Sequence, residues 1–282
     1  MNETFGVIGG DRRQAELAKL LEGEGRTVYT YGIEGSRGRD GSLDQAAAAD
    51  VVILPLPLCK GDGVLNCEET PLPTLDLFRL LGHSRLVLAG QVKPQQRREA
   101  EICGLQLEDY FLREELTVAN AAATAESAVQ VAMERTDRSL LGAECLVIGF
   151  GRIGKLLCDR LRGLGVRVTA TARKPADQAW IRAYGWQALE TGKLDGRLGT
   201  FDVVFNTVPS MILDRSLLEQ LPARCLCVDL ASVQGIDRKA AEDLALPYVW
   251  ARSLPGRLVP RTAAAVIRDA VGHILEERGD PA

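Results

Sequence analysis

A glycine-rich turn between an apolar strand and an amphipathic helix is the part of this sequence with the clearest chemistry. The strand ends at Gly149, and further glycines follow at Gly151 and Gly154. Gly149 allows a tight turn, Gly151 lets backbone approach a pyrophosphate, and Gly154 lets the helix pack against the strand. Backbone N–H groups at the helix start would bind the phosphates. We interpret this turn, which includes Arg152 and Ile153, as a dinucleotide site rather than a tight turn without a ligand.

The end of the next strand, predicted at 166–171, indicates which dinucleotide fits. An NAD site has a carboxylate at this place to bind the ribose 2′-hydroxyl. Here Thr171 and Ala172 are followed by Arg173 and Lys174, without an acid. Two cations suit the 2′-phosphate of NADP, and we expect Thr171 to add a hydroxyl donor. We favour NADP over NAD as the cofactor, with a solvated basic turn as the alternative.

The N-terminal region repeats this strand–turn–helix pattern. Residues 7–9 and 147–149 are both Val-Ile-Gly, at an offset of 140 residues. An α/β fold with two tandem doubly wound parallel-sheet domains is the simplest interpretation. We predict a flavodoxin-like substrate-side domain at 1–118, a Rossmann dinucleotide-binding domain with a linking helix at 119–260, and a C-terminal helix at 261–282. That last helix could cross back onto the first domain.

The first copy of the repeat lacks two of the three glycines. Asp11 and Gln14 take their places. A carboxylate at position 11 would repel a pyrophosphate, so we predict that the first domain binds no dinucleotide. Arg12 and Arg13 at its helix start could bind a smaller anion, or could simply be exposed.

The remaining elements follow from apolar periodicity. Strands are predicted near 4–9, 26–31, 51–55, 85–89, 105–109, 144–149, 166–171, 202–206, 225–229 and 248–251. Helices are predicted near 11–23, 72–81, 94–103, 111–117, 121–136, 152–164 and 261–278. Ligands bind beyond the carboxyl ends of parallel strands. We therefore expect the loops at 32–40 and 60–70 to border a cleft, with the active cleft between the two domains.

Composition excludes several classes of protein. The 282 residues are 46% hydrophobic with a net charge of −4, which gives no electrostatic reason to expect nucleic acid or an anionic membrane as a partner. No apolar run is long enough to span a membrane, and no signal peptide is recognisable. The seven cysteines are scattered without metal-ligand spacing. We expect a reduced, cytoplasmic protein without a bound metal.

Hydride transfer to a nicotinamide calls for a proton acceptor. The chain has only two histidines, His83 and His273, and both are better explained as surface residues. Glu126 lies close to the expected start of the linking helix, and Ser232 follows a strand near the expected nicotinamide position. We take Glu126 and Ser232 as the catalytic candidates, with a solvated helix residue as the alternative for Glu126.

Further loops are candidates for contacts with cofactor and substrate. The cofactor should lie against residues that follow two strands of the second domain, namely Asn206, Thr207, Val208, Pro209, Asp229, Leu230 and Ala231. Substrate anions are expected to bind at two helix starts and at one turn. The candidate residues there are Arg12 and Arg13, Thr124, and Pro255, Gly256 and Arg257. For the segment at 255–257, a plain turn before a helix is the alternative.

Together these segments resemble the dipicolinate synthase A-subunit family of spore-forming bacteria. The resemblance covers nearly the whole chain and rests on residues 7–11, 124–133, 147–154, 204–209, 229–232 and 254–263. It implies a fold similar to D-2-hydroxyacid dehydrogenases and NADP-linked oxidation of dihydrodipicolinate to dipicolinate, a pyridine dicarboxylate. It also implies a flavoprotein-like partner, the dipicolinate synthase B-subunit, and a place in the mother-cell cytoplasm. One departure is that Val233-Gln-Gly-Ile236 follows Ser232, where the family usually has Lys-Pro-Gly-Gly.

Two other functions stay open at this point. The chain could be a dehydrogenase of another small carboxylate or hydroxy acid, or a non-catalytic dinucleotide-binding redox sensor. Oxidising a dihydropyridine gains aromaticity, so orientation and recognition of a small dicarboxylate could suffice without a tuned histidine. The alanine-rich linking helix could pack closely against a twin, and we therefore expect a homo-oligomer.

Overall fold

The computed structural model describes residues 3–34, 41–61, 63–67 and 71–279. The chain divides into two compact units. Unit 1 runs to Asn120 and resumes at Pro255, and unit 2 is Ala121–Leu254. Unit 1 is therefore built from two separate stretches of sequence.

Unit 1 contains a five-stranded parallel sheet with helices on both faces. Its strands are β1 (Thr4–Ile8), β2 (Thr27–Tyr31), β3 (Val51–Ile53), β4 (Leu86–Ala89) and β5 (Leu107–Asp109). Its helices before the linking helix are α1 (Arg12–Gly23), α2 (Leu43–Ala47), α3 (Thr74–Leu80) and α4 (Pro94–Ile102). The order β2-β1-β3-β4-β5 is the flavodoxin-like one. Every residue of β3 and β4 is buried, as expected for central strands covered on both faces.

The linking helix, α5, spans Glu114–Arg135, and the last two helices are α10 (Leu254–Leu258) and α11 (Pro260–Glu277). The predicted stripe on α11 is buried in the core of unit 1, where it packs beside α1 against β1, β3 and β4. The prediction that the C-terminal helix crosses back is confirmed. Because α11 supplies one wall of this core, unit 1 depends on both stretches of its sequence.

Unit 2 contains a six-stranded parallel sheet. Its strands are β6 (Glu144–Ile148), β7 (Arg167–Ala172), β8 (Gln187–Glu190), β9 (Val203–Asn206), β10 (Leu226–Asp229) and β11 (Tyr248–Trp250). Its helices, besides its part of α5, are α6 (Arg152–Gly163), α7 (Pro175–Ala183), α8 (Arg215–Leu218) and α9 (Arg238–Asp243). The order β11-β10-β9-β6-β7-β8 is that of a Rossmann fold, with the switch point between β6 and β9.

The internal repeat is visible in the element boundaries. The strand β1 and the helix α1 have the same limits as β6 and α6 once 140 is added to each number. Gly25 and Gly165, at equivalent places after these helices, both have positive φ, at 81° and 75°. The two units therefore begin with the same strand–turn–helix, and they differ in what fills the turn.

The structure differs from the predicted secondary structure in several places. The segments predicted separately at 111–117 and 121–136 form the single helix α5 apart from one turn of 3₁₀ helix, Tyr110–Leu112, because no glycine or proline interrupts residues 114–135. The edge strand β8 was not predicted, since its half-exposed residues lack an apolar run. The loops expected at 32–40 and 60–70 lie partly outside the described residues. Among the described helices, none combines the length and apolarity needed to cross a membrane.

Candidate functional site

The glycine turn of unit 2 has the geometry that a pyrophosphate requires. Gly149 has φ of 99°, and a Cβ on it would lie 2.5 Å from the Thr207 hydroxyl. A Cβ on Gly154 would lie 2.1 Å from the carbonyl oxygen of Gly149, so α6 packs on the turn only because residue 154 is glycine. A Cβ on Gly151 would meet nothing within 4 Å, which leaves open space at the start of α6.

The start of α6 is also electrostatically suited to an anion. Its N-cap residue is Gly151, which has no side chain to cap the helix, and its first turn carries no acidic residue. The exposed Arg152 and the half-buried Ile153 follow directly. The helix dipole and the first N–H groups therefore face this open space. The residues present fit a dinucleotide pyrophosphate.

Thr171 does not have the role expected from the sequence. It is fully buried, its Oγ1 accepts a hydrogen bond from the Gly149 N–H at 3.2 Å, and it shares another at 3.0 Å with Oγ1 of Thr191. A side chain enclosed in this way holds the glycine turn from behind and is not available to a 2′-phosphate. Its partner Thr191 lies just after β8, and no sequence motif marked it.

Arg173 and Lys174 are placed as the sequence predicts. Both are exposed between the end of β7 and the first residue of α7, Pro175. Neither forms an ion pair with any residue that the structure describes. Two cations at the carboxyl end of the strand next to β6 match the place where a Rossmann domain meets the adenosine ribose.

The last residue of β9 holds the loop that follows the strand. Asn206 is fully buried; its Nδ2 donates to the Val208 carbonyl at 3.0 Å, and its Oδ1 accepts from the Val208 N–H at 3.1 Å. The Thr207 hydroxyl donates to the Ile148 carbonyl at 2.9 Å, which ties this loop to β6. The Asn206 side chain thus shapes the loop rather than facing a cofactor. Thr207, Val208 and Pro209 keep accessible surface.

Asp229 organises the loop after β10. This fully buried carboxylate accepts hydrogen bonds from the amide of Asn206 at 2.8 Å and from three backbone N–H groups, those of Ala231, Gly235 and Ile236. We expected Asp229, with Leu230 and Ala231, to contact the cofactor, but all three are buried. The observed role of Asp229 is to fix the loop through these hydrogen bonds.

Within this loop Ser232 is exposed at the carboxyl edge of the sheet. Gly235 closes the same loop, and a Cβ on it would lie 2.2 Å from Nδ2 of Asn206. The departure from the family pattern after Ser232 therefore leaves a required glycine in place. Gly235 was not predicted as a site residue, although a glycine six residues after Asp229, at the end of a strand, was a usable signal.

The linking helix does not bring its predicted residues to the glycine turn. Since α5 begins at Glu114, Thr124 lies in its middle, buried, and offers no helix-start N–H groups, so that expectation is wrong. Glu126 is exposed, and its Oε1 lies 3.4 Å from Nε of Arg160. Arg160 is eight residues beyond Arg152 on α6, or roughly 12 Å along the helix at 1.5 Å per residue. This placement argues against Glu126 as the proton acceptor.

In unit 1, the equivalent turn is filled by the protein itself. Asp11 caps α1 by accepting from the Arg13 N–H at 3.0 Å, and the Arg13 guanidinium binds the same carboxylate, with Nη2 at 2.7 Å. Arg13 is buried and also donates to the carbonyl of Leu56. Burial alone would raise the pKa of Asp11, but hydrogen bonds and charge from Arg13 outweigh it and hold that pKa below its usual value. Gln14 packs under Gly10 in this turn.

Arg13 is therefore not an open anion site, which corrects the expectation for that residue. Arg12 is exposed and makes no ion pair within the described part of the chain. The expected turn at 255–257 lies instead in the short helix α10, where Pro255 and Gly256 are buried and Arg257 is exposed. A Cβ on Gly256 would lie 2.8 Å from Oδ2 of Asp11. Because Arg13 binds the same carboxylate, the two predicted substrate residues Arg13 and Gly256 lie close together.

One further cation in unit 1 was missed. Lys60, in the loop after β3, lies close enough to Asp11 for its charge to help lower the pKa of that carboxyl. It belongs to a loop that the sequence marked as bordering a cleft, so its position was a usable signal. Among the described residues, no group of three His, Cys, Asp or Glu side chains is arranged to hold a metal ion.

Comparisons with known proteins agree with this geometry. Residues 4–111 match the family model of the N-terminal domain of the dipicolinate synthase A-subunit. Residues 115–242 match that of the D-isomer specific 2-hydroxyacid dehydrogenase NAD-binding domain. The dipicolinate synthase A-subunit of Bacillus subtilis is 29% identical over 96% of this chain and 95% of its own.

Solved structures extend the match to the fold. The crystal structure of the Bacillus subtilis dipicolinate synthase A-subunit aligns with a TM-score of 0.83 at 27% identity, covering 98% of this chain and 97% of that one. The A-subunit from Bacillus halodurans aligns with a TM-score of 0.81 at 23% identity, covering 97% of both chains.

The fold and the glycine turn define a dehydrogenase-type oxidoreductase with a nicotinamide dinucleotide-binding Rossmann domain. Within that class, the chain resembles the A-subunit of dipicolinate synthase over nearly its whole length. The chain thus combines a match to the N-terminal domain of that enzyme with a match to an NAD-binding domain of the 2-hydroxyacid dehydrogenase type.

Proposed function

We propose that this protein oxidises dihydrodipicolinate to dipicolinate with NADP⁺ as the hydride acceptor. The observation that carries the proposal is the glycine turn at Gly149–Gly154, which is open and uncapped beside α6, in a chain that resembles the A-subunit of dipicolinate synthase. The equivalent turn of unit 1 is filled by Asp11 and Arg13, so unit 1 is left for the substrate.

The reaction balances without any further reactant. The dihydropyridine ring loses one hydride and one proton and becomes the aromatic pyridine, while NADP⁺ takes the hydride and becomes NADPH. Because aromaticity is gained, the residues need chiefly to orient the ring and bind its two carboxylates. Ser232, exposed at the carboxyl edge of the unit 2 sheet, is our candidate for passing the proton to water.

We assign the choice of NADP to Arg173 and Lys174. Both are exposed after β7, and neither is used in an ion pair within the described residues. Guanidinium and ammonium groups form charge-assisted hydrogen bonds with phosphate, whereas the 2′-hydroxyl of NAD would leave them unused. The absence of a carboxylate at this place in the sequence supports the same choice.

The substrate contacts in unit 1 are proposed as Arg12, Lys60 and Arg257. Arg12 is an exposed cation at the carboxyl edge of the unit 1 sheet, and Arg257 is an exposed cation beside Gly256. Lys60 lies near Asp11. Arg13 supports them indirectly, because it fixes Asp11 and the Leu56 carbonyl beneath this surface. We further propose that the protein works with a B-subunit, as the name of its relatives implies, and forms homo-oligomers.

The test is a turnover measurement with the full chain. The protein is mixed with dihydrodipicolinate and either NADP⁺ or NAD⁺, with and without the B-subunit from a spore-forming relative, and reduced nicotinamide is followed by its absorbance. We expect reduction of NADP⁺ together with formation of dipicolinate, detected by its own ultraviolet spectrum. Reduction with a hydroxy acid but not with dihydrodipicolinate would overturn the proposed substrate, and dinucleotide binding without any turnover would indicate a redox sensor.

A further inference from the structure

The carboxyl edge of the unit 2 sheet carries a cation that no motif predicted. The loop after β10, residues 230–236, contains Ser232 but no lysine or arginine. The next strand in the sheet, β11, is followed directly by Ala251 and Arg252. Since all strands of this sheet are parallel, Arg252 emerges at the same edge as Ser232 and the glycine turn.

Trp250 links Arg252 to the Ser232 loop. It pairs in register with Asp229, and its indole Nε1 donates to the carbonyl of Ala231, the residue before Ser232, at 3.0 Å. The guanidinium carbon of Arg252 lies 4.7 Å from the centroid of the Trp250 ring. Arg252 is thus held over a ring that is itself fixed to the loop.

This arrangement leaves the hydrogen-bonding part of Arg252 available. A guanidinium stacked on an aromatic ring uses its flat face there, so the N–H donors around its edge can still bind a planar carboxylate through two bonds. Arg252 is exposed, and no carboxylate of the described residues forms an ion pair with it. A structural arginine would instead be expected to carry such a partner, as Arg224 does with Asp202 at 3.3 Å.

We infer that Arg252 binds a carboxylate of the substrate, with Trp250 as the residue that positions it. The inference rests on the proposed function, because it assigns a residue to one end of a dicarboxylate. It also gives unit 2 a substrate contact of its own, beside the Ser232 loop.

The experiment uses dipicolinate as a stable probe and the full chain with saturating NADP⁺. Binding of dipicolinate to wild type, Arg252→Gln, Arg252→Lys and Trp250→Leu is measured by calorimetry, together with NADP⁺ affinity and the thermal midpoint. Arg224→Gln is the matched control, an exposed arginine preceding β10 at the opposite edge of the sheet. We expect Arg252→Gln to weaken dipicolinate binding roughly 10-fold to 100-fold, the usual effect of losing a charged hydrogen-bond partner. Arg252→Lys and Trp250→Leu should lie between it and wild type.

NADP⁺ affinity and the thermal midpoint should be unchanged in both Arg252 variants. Equal dipicolinate binding by wild type and Arg252→Gln would overturn the assignment, as would a fall in NADP⁺ affinity of the same size. If wild type binds dipicolinate but does not oxidise dihydrodipicolinate, the proposed function is refuted. The comparison of dipicolinate binding by wild type and Arg252→Gln still tests the role of Arg252 in that case. Failure of the wild type to bind dipicolinate would overturn both.

Discussion

The Cβ that any other residue would place at position 154 would lie 2.1 Å from the carbonyl oxygen of Gly149. The glycine is therefore required by contact between helix and turn, even before a ligand is considered. We predict that Gly154→Ala lowers the thermal midpoint and abolishes measurable dinucleotide binding, because α6 must move away from the turn. Gly163→Ala is the control, since it lies on the same helix with nothing within 4 Å of its Cβ. Equal midpoints for the two variants would contradict this prediction.

Substitutions at position 151 should change dinucleotide binding and protein stability in different directions. Unit 1 has Asp11 at the equivalent place, where it caps α1. We predict that Gly151→Asp keeps or raises the stability of the protein, because a helix cap contributes about 1 kcal/mol, while its charge repels the pyrophosphate. Gly151→Ser adds a cap without charge and should weaken binding much less. Calorimetric titration with NADP⁺ and thermal melting of both variants provide the measurement, and strong binding by Gly151→Asp would argue against the placement of the phosphates.

The two neighbouring arginines of unit 1 should behave differently. Arg13 is buried and bonded to Asp11 and to the Leu56 carbonyl, whereas Arg12 is exposed. Arg13→Gln leaves a largely enclosed carboxylate without its partner and should lower the free energy of unfolding by about 3–5 kcal/mol. Arg12→Gln should change it by no more than about 0.5 kcal/mol. Denaturant titration of both variants tests this contrast, and similar values would show that the ion pair is not structural.

The same ion pair predicts how stability depends on pH. The pKa of Asp11 lies below its ordinary value in the folded protein, so the folded state favours the ionised carboxylate. The resulting stabilisation is present above the ordinary pKa of 3.8 and is lost as the pH falls through the lower folded value. The difference in unfolding free energy between wild type and Asp11→Asn should therefore be constant near neutral pH and shrink below about pH 4. A difference that stays constant on acidification would exclude this linkage.

The basic turn after β7 should decide between the two nicotinamide dinucleotides. Replacing Arg173 and Lys174 together by alanine should raise the dissociation constant for NADP⁺ roughly 10-fold to 100-fold, because charged hydrogen bonds to the 2′-phosphate are lost. The dissociation constant for NAD⁺ should hardly change. Lys193→Ala, on the loop after β8 and paired with Glu190, controls for loss of surface charge. Parallel weakening of both dinucleotides would refute the assignment.

Much of the fold could be predicted because its signals are local. Gly149 and Gly154 have steric reasons to be glycine, Gly151 leaves space for a ligand, and the repeat at a constant offset pointed to two similar units. Side-chain direction was harder to predict. Thr171 precedes two exposed cations, yet it points inward to Gly149 and Thr191, and nothing in the spacing distinguishes the two directions.

The early start of α5 explains why Thr124 was wrongly predicted to lie at a helix start. The segment Glu114–Arg135 contains neither glycine nor proline, so the helix runs through the place where we expected it to begin, and Thr124 lies in its interior. Asn206 and Asp229 were predicted to contact the cofactor, but hydrogen bonds within unit 2 occupy their side chains. Contacts between residues far apart in sequence, such as Trp250 with the Ala231 carbonyl, leave no pattern along the chain.

The return of α11 to unit 1 also determines the order in which the protein can fold as it is synthesised. Unit 2 lies on one continuous stretch and can complete its sheet while translation continues. Unit 1 starts first yet must wait for the final helix, and until then the apolar side of β1, β3 and β4 lacks part of its cover. A nascent chain stalled before Pro260 would therefore expose that apolar surface to chaperones.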